Sequence, residues 1–414
     1  MSTPPSERAV ITLVGAVQFV NILDFMMVMP LGPDFSAALG IPLSRLGYIG
    51  GSYTAAASVA GLAGSFFLDR FDRRKALAVS MLGLVVATAL GGFAQGLGSL
   101  IAARILAGLF GGPATSLSLS IVADVIPIER RGKAMGAIMG AFSAASVFGV
   151  PAGLELARLG SWRTPFFAVA GLGLGITALA VALLPPLRGH LRSEADRALA
   201  PDPSGLSSLR TMLLRPTVAA SYALAAAAMM GLFVLVPHIS SYVQQNLGFP
   251  RSRLGLLYMA GGTVSFLALR IAGRLVDRFG SFWVSVPSTA LLALVIYLGF
   301  FLSPPLLPVV AVFVLFMIST GFRNVSFNTL LSRVPLARER ARFMSIQSAV
   351  QHAASALGAF VSAKILTEDS AHRLVGMPTV AGLSIALLAL MPPLTAWIET
   401  RVRAAQASPA AVPA

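Results

Sequence analysis

The 414-residue chain is 56% hydrophobic and only 11% charged, with a mean hydropathy of +0.81, whereas soluble domains carry about 25% charged residues. That excludes a water-soluble globular class, and the apolar residues fall in runs of about 20, long enough to cross a ~30 Å hydrocarbon layer. The net charge of +15 is spread over short clusters between these runs, a mark of membrane topology and not of a nucleic-acid surface, and the absence of cysteine excludes disulfides and thiolate metal sites.

Apolar runs bounded by charge, Pro or Gly predict helices near 9–31, 46–68, 76–94, 98–122, 134–157 and 164–185, then near 216–244, 252–272, 281–302, 306–330, 342–366 and 376–397. The first run contains Asp24 and is too long for a secretory h-region, so it is read as a retained helix. Its Gln18, Asn21 and Asp24, spaced by three, form one polar stripe. Asp24 lies about four residues, hence ~6 Å, past the midpoint of the run. An ionisable group in hydrocarbon costs ~2.5–3.5 kcal/mol and so marks a cavity or a partner.

The loop after helix 2 reads Leu68-Asp69-Arg70-Phe71-Asp72-Arg73-Arg74-Lys75. Helix 4 carries Arg104 followed by Gly108 and Gly112, a face for close packing. Helix 5 carries Gly136, Gly140, Ser143, Ser146, Gly149, Pro151 and Gly153, small residues with a proline that bends the helix; Glu155 behind them is read as interfacial. The polar stretch 186–215 divides six helices from six. In the second half, polar groups punctuate helix 7 (His238), helix 8 (Arg270, snorkelling), helix 10 (Arg323, Asn324, Asn328) and helix 11 (Gln347, Gln351, His352). Arg323 is too costly to face lipid and is expected in a cavity, binding substrate or pairing with Asp24 across the halves.

Asp69-Arg70-Phe71 recurs as Asp277-Arg278-Phe279, and Pro127 with Arg130 recurs as Pro335 with Arg338, both at an offset of 208 residues. With the N-terminus inside, about 21 Lys/Arg fall on the inner side and about seven on the outer, which puts both termini in the cytoplasm. Trp162, Trp283 and Trp397 fall at predicted helix ends, where rings prefer the headgroup zone. The Arg and Ala richness fits a GC-rich bacterial genome, hence a bacterial inner membrane. There is no Gly-Lys-Ser/Thr phosphate loop and no His-Glu-x-x-His or carboxylate cluster, so neither ATP-driven transport nor a metal is expected.

The 68–75 loop resembles the signature G-x-x-x-D-R-x-G-R-R/K of the major facilitator superfamily, with Ser65 and Asp72 at its two glycines, while the second copy keeps Gly273 and Gly280. Arg104-x-x-x-Gly108, the 19–35 stretch and Ser161-Trp162-Arg163-Thr164-Pro165-Phe166-Phe167 are similar to bacterial drug and sugar proton antiporters of the arabinose-efflux type. Their helix-5 signature G-P-x-x-G-G is matched with Val150 inserted and Leu154 at the last Gly. The resemblance implies an all-α polytopic fold of twelve transmembrane helices in two pseudo-symmetric six-helix bundles. It implies a bundle over residues 1–185, a cytoplasmic linker over 186–215, a bundle over 216–400 and a tail over 401–414.

The function implied is export of a small organic solute, sugar or drug-like, in exchange for protons. It needs no cofactor and no enzyme chemistry. Asp24 and Arg104 would couple protons, with a static packing pair as the alternative. Gln18, Asn21, His238, Arg323, Asn324, Asn328 and Gln351 would line the substrate cavity. Asp69, Arg70, Arg73, Arg74, Gly273, Asp277 and Arg278 would form the cytoplasmic gate, Asp69 meeting helix 11 and Asp277 helix 5. Gly149, Pro151 and Gly153 would hinge helix 5. The expected partners are the solute, protons and the bilayer, with no nucleic acid and the chain a monomer. Symport, uniport and a transport-inactive sensor stay open.

Overall fold

The structure, a computed structural model, describes residues 7–187, 206–336 and 339–407, apart from some side chains within them, Asp69's included. Among the described residues, twelve helical rods run back and forth. The first six are α1 (Glu7–Val28), α2 (Leu46–Phe67), α3 (Arg73–Gly92), α4 (Leu97–Val125), α5 (Ile128–Ala144, continued by Val150–Leu159) and α6 (Thr164–Leu183). The second six are α7 (Pro216–Phe233, continued by Ile239–Gln245), α8 (Leu254–Phe279), α9 (Ser281–Ile296), α10 (Val309–Ser332), α11 (Arg340–Ile365) and α12 (Met377–Ala389, continued by Met391–Ala407). Ten rods are long and apolar enough to cross a membrane. The other two, α2 and α11, have the length but are diluted by Gly47, Gly50, Gly51 and Ser52 in one and Arg340, Arg342, Gln347 and Gln351 in the other. The reason is their place: they pack on each other at the interface between the halves.

The rods α1–α6 pack among themselves, as do α7–α12, and the two halves meet through α2 against α11 and α5 against α8. The 208-residue repeat maps α2 onto α8 and α5 onto α11, so the interface consists of two equivalent helix pairs. Large apolar side chains such as Val59, Val86, Leu174, Trp283 and Leu294 stand exposed on the outside of the rods, as a lipid-facing surface requires.

Several local departures have physical causes. Rod α5 starts at Ile128 rather than near 134 and contains a π-turn, Ala145–Gly149, just before Pro151. The proline has no N–H and its ring crowds the preceding turn, and the widened turn absorbs both. Rod α7 breaks at Val234–His238, where Pro237 forms a 3-10 turn. Part of the stretch read as linker is a helix, Leu206–Leu213, with Met212 buried against Val218 and Phe343; residues 188–205 lie outside the described set. Rod α12 runs on to Ala407, past the expected start of the tail. Trp162 is only 7% exposed and packs edge-on to Phe35 and Phe166, so it is a core ring and not a headgroup anchor. A hairpin of two short strands, β1 (Thr367–Glu368) and β2 (Leu374–Val375), joins α11 to α12.

Candidate functional site

The polar stripe of α1 points into the first half. Asp24 is fully buried; Arg104 of α4 reaches both of its carboxylate oxygens at 3.0–3.1 Å, and Thr88 of α3 donates to it at 2.7 Å. The Arg104 guanidinium lies 4.7 Å over the Tyr53 ring of α2, and its Nε has no partner. One turn away, Asn21 donates to Gly111 O (2.8 Å) and Thr115 Oγ1 (2.7 Å) and accepts from Tyr53 Oη (2.8 Å). Side chains of α3 and α4 thus meet the carboxylate of α1, with the Tyr53 ring of α2 stacked on the arginine. Close approach is possible because Gly108, Gly111 and Gly112 leave no room for a Cβ against Tyr53, Asn21 and Ala57. Gln18 is buried with its Oε1 unpartnered.

In the second half, Arg323 is fully buried. It does not pair with Asp24. Its donors reach Ala228 O (3.2 Å) and Asn324 Oδ1 (3.1 Å), its Nε is free, and among the described residues no carboxylate lies within ion-pair distance. Gln347 and Gln351 of α11 reach towards Asn328 at 3.4 and 3.5 Å, weak contacts at the edge of hydrogen bonding. His238 is buried at the interface between halves, 3.1 Å from Ser362 Oγ and against Gly47 of α2. His352 bonds Ser348 O on its own helix.

The two ends of the molecule differ. At the end opposite the termini the halves are joined: Arg251 at the head of α8 holds Asp34 through both oxygens at 2.7–3.1 Å, and Glu368 of β1 accepts from Leu43 N at 2.7 Å. There Gly47 and Gly51 of α2 abut the α11 backbone and Phe360, and Gly262 of α8 abuts Ser146 of α5. Midway, Ser58 of α2 still donates to Ala349 O. Towards the termini, a Cβ on Gly61 of α2, Gly136 or Gly140 of α5 or Gly273 of α8 would meet nothing within 4 Å. Among the described residues, the hydrogen bonds that join the halves lie opposite the termini or midway, and none lies at the termini end.

The described residues read as a gate sit at the termini end, within their own half. Arg73 is buried on Asp124 (3.1 Å). Asp72, which replaces a signature glycine, caps α3 by accepting from Arg74 N and also accepts from Leu187 N. Arg74 donates to Leu184 O. Arg70 is exposed, Arg278 stacks at 5.2 Å on Phe279, and among the described residues Asp277 forms no ion pair. The side chain of Asp69 lies outside the described residues. At the expected hinge, Gly149 presses on Leu23 of α1, Pro151 on Gly255 of α8, and Gly153 packs beside Met27 and Pro165.

Thr88, Tyr53 and Thr115 carry no distinguishing signal in the sequence: Tyr53 lies between Ser52 and Thr54, Thr115 precedes Ser116 and Ser118, and Thr88 shares its helix with Ser80, so nothing local marks which hydroxyl faces α1. Asp34, Arg251 and Glu368 join segments more than 200 residues apart, which no local pattern reveals.

Two six-helix bundles with a repeat-related interface and a buried carboxylate inside the first have the architecture of two-bundle membrane transporters. The model of the Major Facilitator Superfamily matches residues 14–359. The chain belongs to that superfamily: it is a transporter and not an enzyme, of a kind that needs no cofactor and is energised by ion gradients. It is 25% identical over 388 residues, 92% of this chain and 94% of the relative, to a chloramphenicol resistance protein of Streptomyces lividans. It is 32% identical over 42% of its length, and 30% of the relative's, to the uncharacterized MFS-type transporter Rv1250 of Mycobacterium tuberculosis. Among solved structures, a D-xylose-proton symporter superposes with a TM-score of 0.73 at 18% identity, covering 92% of this chain and 95% of the other. An inward-facing bacterial homologue of the lysosomal transporter Spinster gives 0.71 at 15%, covering 97% and 98%.

Proposed function

We propose that the chain exports a small organic solute in exchange for protons, its two bundles (1–185 and 216–400) rocking about a site near mid-membrane. The observation that carries this reading is Asp24, a fully buried carboxylate held by one cation and one hydroxyl. Protonation would remove its half of the ion pair with Arg104 and free that cation, and deprotonation would restore the pair. This makes the arrangement of α1 against α4 depend on a proton. Near-complete coverage of a relative named for chloramphenicol resistance supports export, because a transporter protects a cell most simply by removing the compound.

The roughly threefold Lys/Arg excess supports a cytoplasmic location for both termini in a bacterial inner membrane, so the Asp34–Arg251 contact would lie on the outer side. Gln18, Asn21, His238, Arg323, Asn324, Asn328 and Gln351 would border the substrate path as the bundles rock. Closure of the inner side would bring Asp69 and Asp277, with Arg70, Arg73, Arg74, Gly273 and Arg278, against α11 and α5. The segment 186–215 would link the bundles, 401–414 would form a tail, and the hinge would be Gly149, Pro151 and Gly153. A proton driven inward supplies ~2.3 kcal/mol per 100 mV, enough to concentrate a neutral solute about tens-fold.

One observation favours symport instead: Val150 interrupts the antiporter signature of helix 5. Proteoliposomes with an acidic interior separate the two. An antiporter accumulates solute on the acidic side and a symporter on the alkaline side; accumulation on the alkaline side would exclude the export reading.

A further inference from the structure

At the termini end of the second half, α8, α9, α10 and α12 border a cavity of about 280 Å³ lined by Asp277, Arg278, Ser281, Arg333, Glu399 and Arg403. Glu399 is already committed: it accepts from Phe282 N at 2.6 Å and from Arg403 at 2.5 Å, closing the first turn of α9. Two guanidiniums, Arg278 and Arg333, then stand against the single carboxylate of Asp277, and among the described residues neither forms an ion pair. Ser281 is 2% exposed, lines this cavity in the first turn of α9, and its Oγ has no partner. A buried hydroxyl left unsatisfied costs free energy that an acceptor in the cavity would recover. Around it Phe279, Trp283 and Trp397 are exposed to the outside of the rods, as aromatic rings are at headgroup level.

We propose that this cavity binds a phosphate group, with Arg278 and Arg333 supplying charge and Ser281 Oγ a hydrogen bond. Phosphate chemistry reaches this level either as an anionic lipid headgroup or as free phosphate.

The test uses the purified full chain in detergent, with binding followed by thermal unfolding and by native mass spectrometry. The probes are phosphatidylglycerol, diacylglycerol as its phosphate-free counterpart, and inorganic phosphate. Phosphatidylglycerol should bind saturably and diacylglycerol should not. Arg278→Gln and Arg333→Gln should each weaken binding about five-fold, and Ser281→Ala, which leaves the fold intact, by a similar factor of about five. The same pattern with inorganic phosphate alone would support the site and identify free phosphate as its source. Absence of saturable binding by both probes, or unchanged affinity in Ser281→Ala and the arginine variants, would overturn the proposal. Transport is not read, so failure here leaves the export reading untouched.

Discussion

Removing the contact between Asp34 and Arg251 should move the protein towards the state open on the outer side. The side chains are 27% and 28% exposed and share three N–H···O contacts of 2.7–3.1 Å. A pair of this kind lies between exposed bridges, worth about 0–1 kcal/mol, and buried ones, whose breakage costs about 3–5 kcal/mol; about 1–2 kcal/mol is therefore at stake. Because the contact joins the halves only while the outer side is shut, its loss should shift the inner-open to outer-open ratio about 5–30-fold. Global stability should change little, since each partner alone becomes hydrated. The chain has no cysteine, so Ser161→Cys and Ser252→Cys, at exposed positions on opposite halves, can carry spin labels without further engineering. Pulsed dipolar spectroscopy should show a new longer distance in Arg251→Gln and in Asp34→Asn, with the double variant no worse than either. An unchanged distance distribution would refute the idea that this pair holds the outer side.

Gly47→Val and Gly51→Val place side chains where the α11 backbone and Phe360 already touch α2, so the outer side should fail to close and the same labels should move apart. Gly136→Ala, which meets open space, should leave the distances unchanged. Arg323→Met removes a buried cation that has no carboxylate beside it; the unfolding midpoint should hold or rise by a few degrees while solute transport is lost. In the outer hairpin, the Arg373 and Ala371 backbone N–H groups and the Arg373 guanidinium hold the Asp369 carboxyl below the usual carboxylate range. A depressed acid stabilises above its unfolded pKa and ceases to as pH falls through its folded one. Hydrogen-exchange protection over 366–376, corrected for the intrinsic pH dependence of exchange, should thus stay constant from pH 8 to about 5 and fall only below the ordinary aspartate value of about 3.9; loss of protection beginning near pH 6 would contradict this.

Much of the fold was legible because a bilayer imposes length and hydropathy on every crossing, and the 208-residue repeat paired the halves. Helix ends were less so: Pro237 and Pro151 act through local 3-10 and π turns, and α12 outlasts its apolar run. Asp24 and Arg104 were readable as costly charges in apolar helices, and they meet. The shell around them was not, since Tyr53 and Thr88 are ordinary polar residues until the tertiary fold aims them at α1. The arginines near 73 were read through the switching mechanism, whereas in this state Arg73 ties α3 to Asp124 of the same half.

The most direct test of proton coupling through Asp24 is gradient-driven transport by Asp24→Asn/Arg104→Gln in proteoliposomes. The paired change matters because Asp24→Asn alone strands a buried guanidinium, a loss of about 3–5 kcal/mol. With a solute chosen by a resistance screen, wild type should accumulate it on the acidic side. The double variant should catalyse downhill exchange without accumulation, and accumulation equal to wild type would contradict the assignment of Asp24 and Arg104 as the coupling pair.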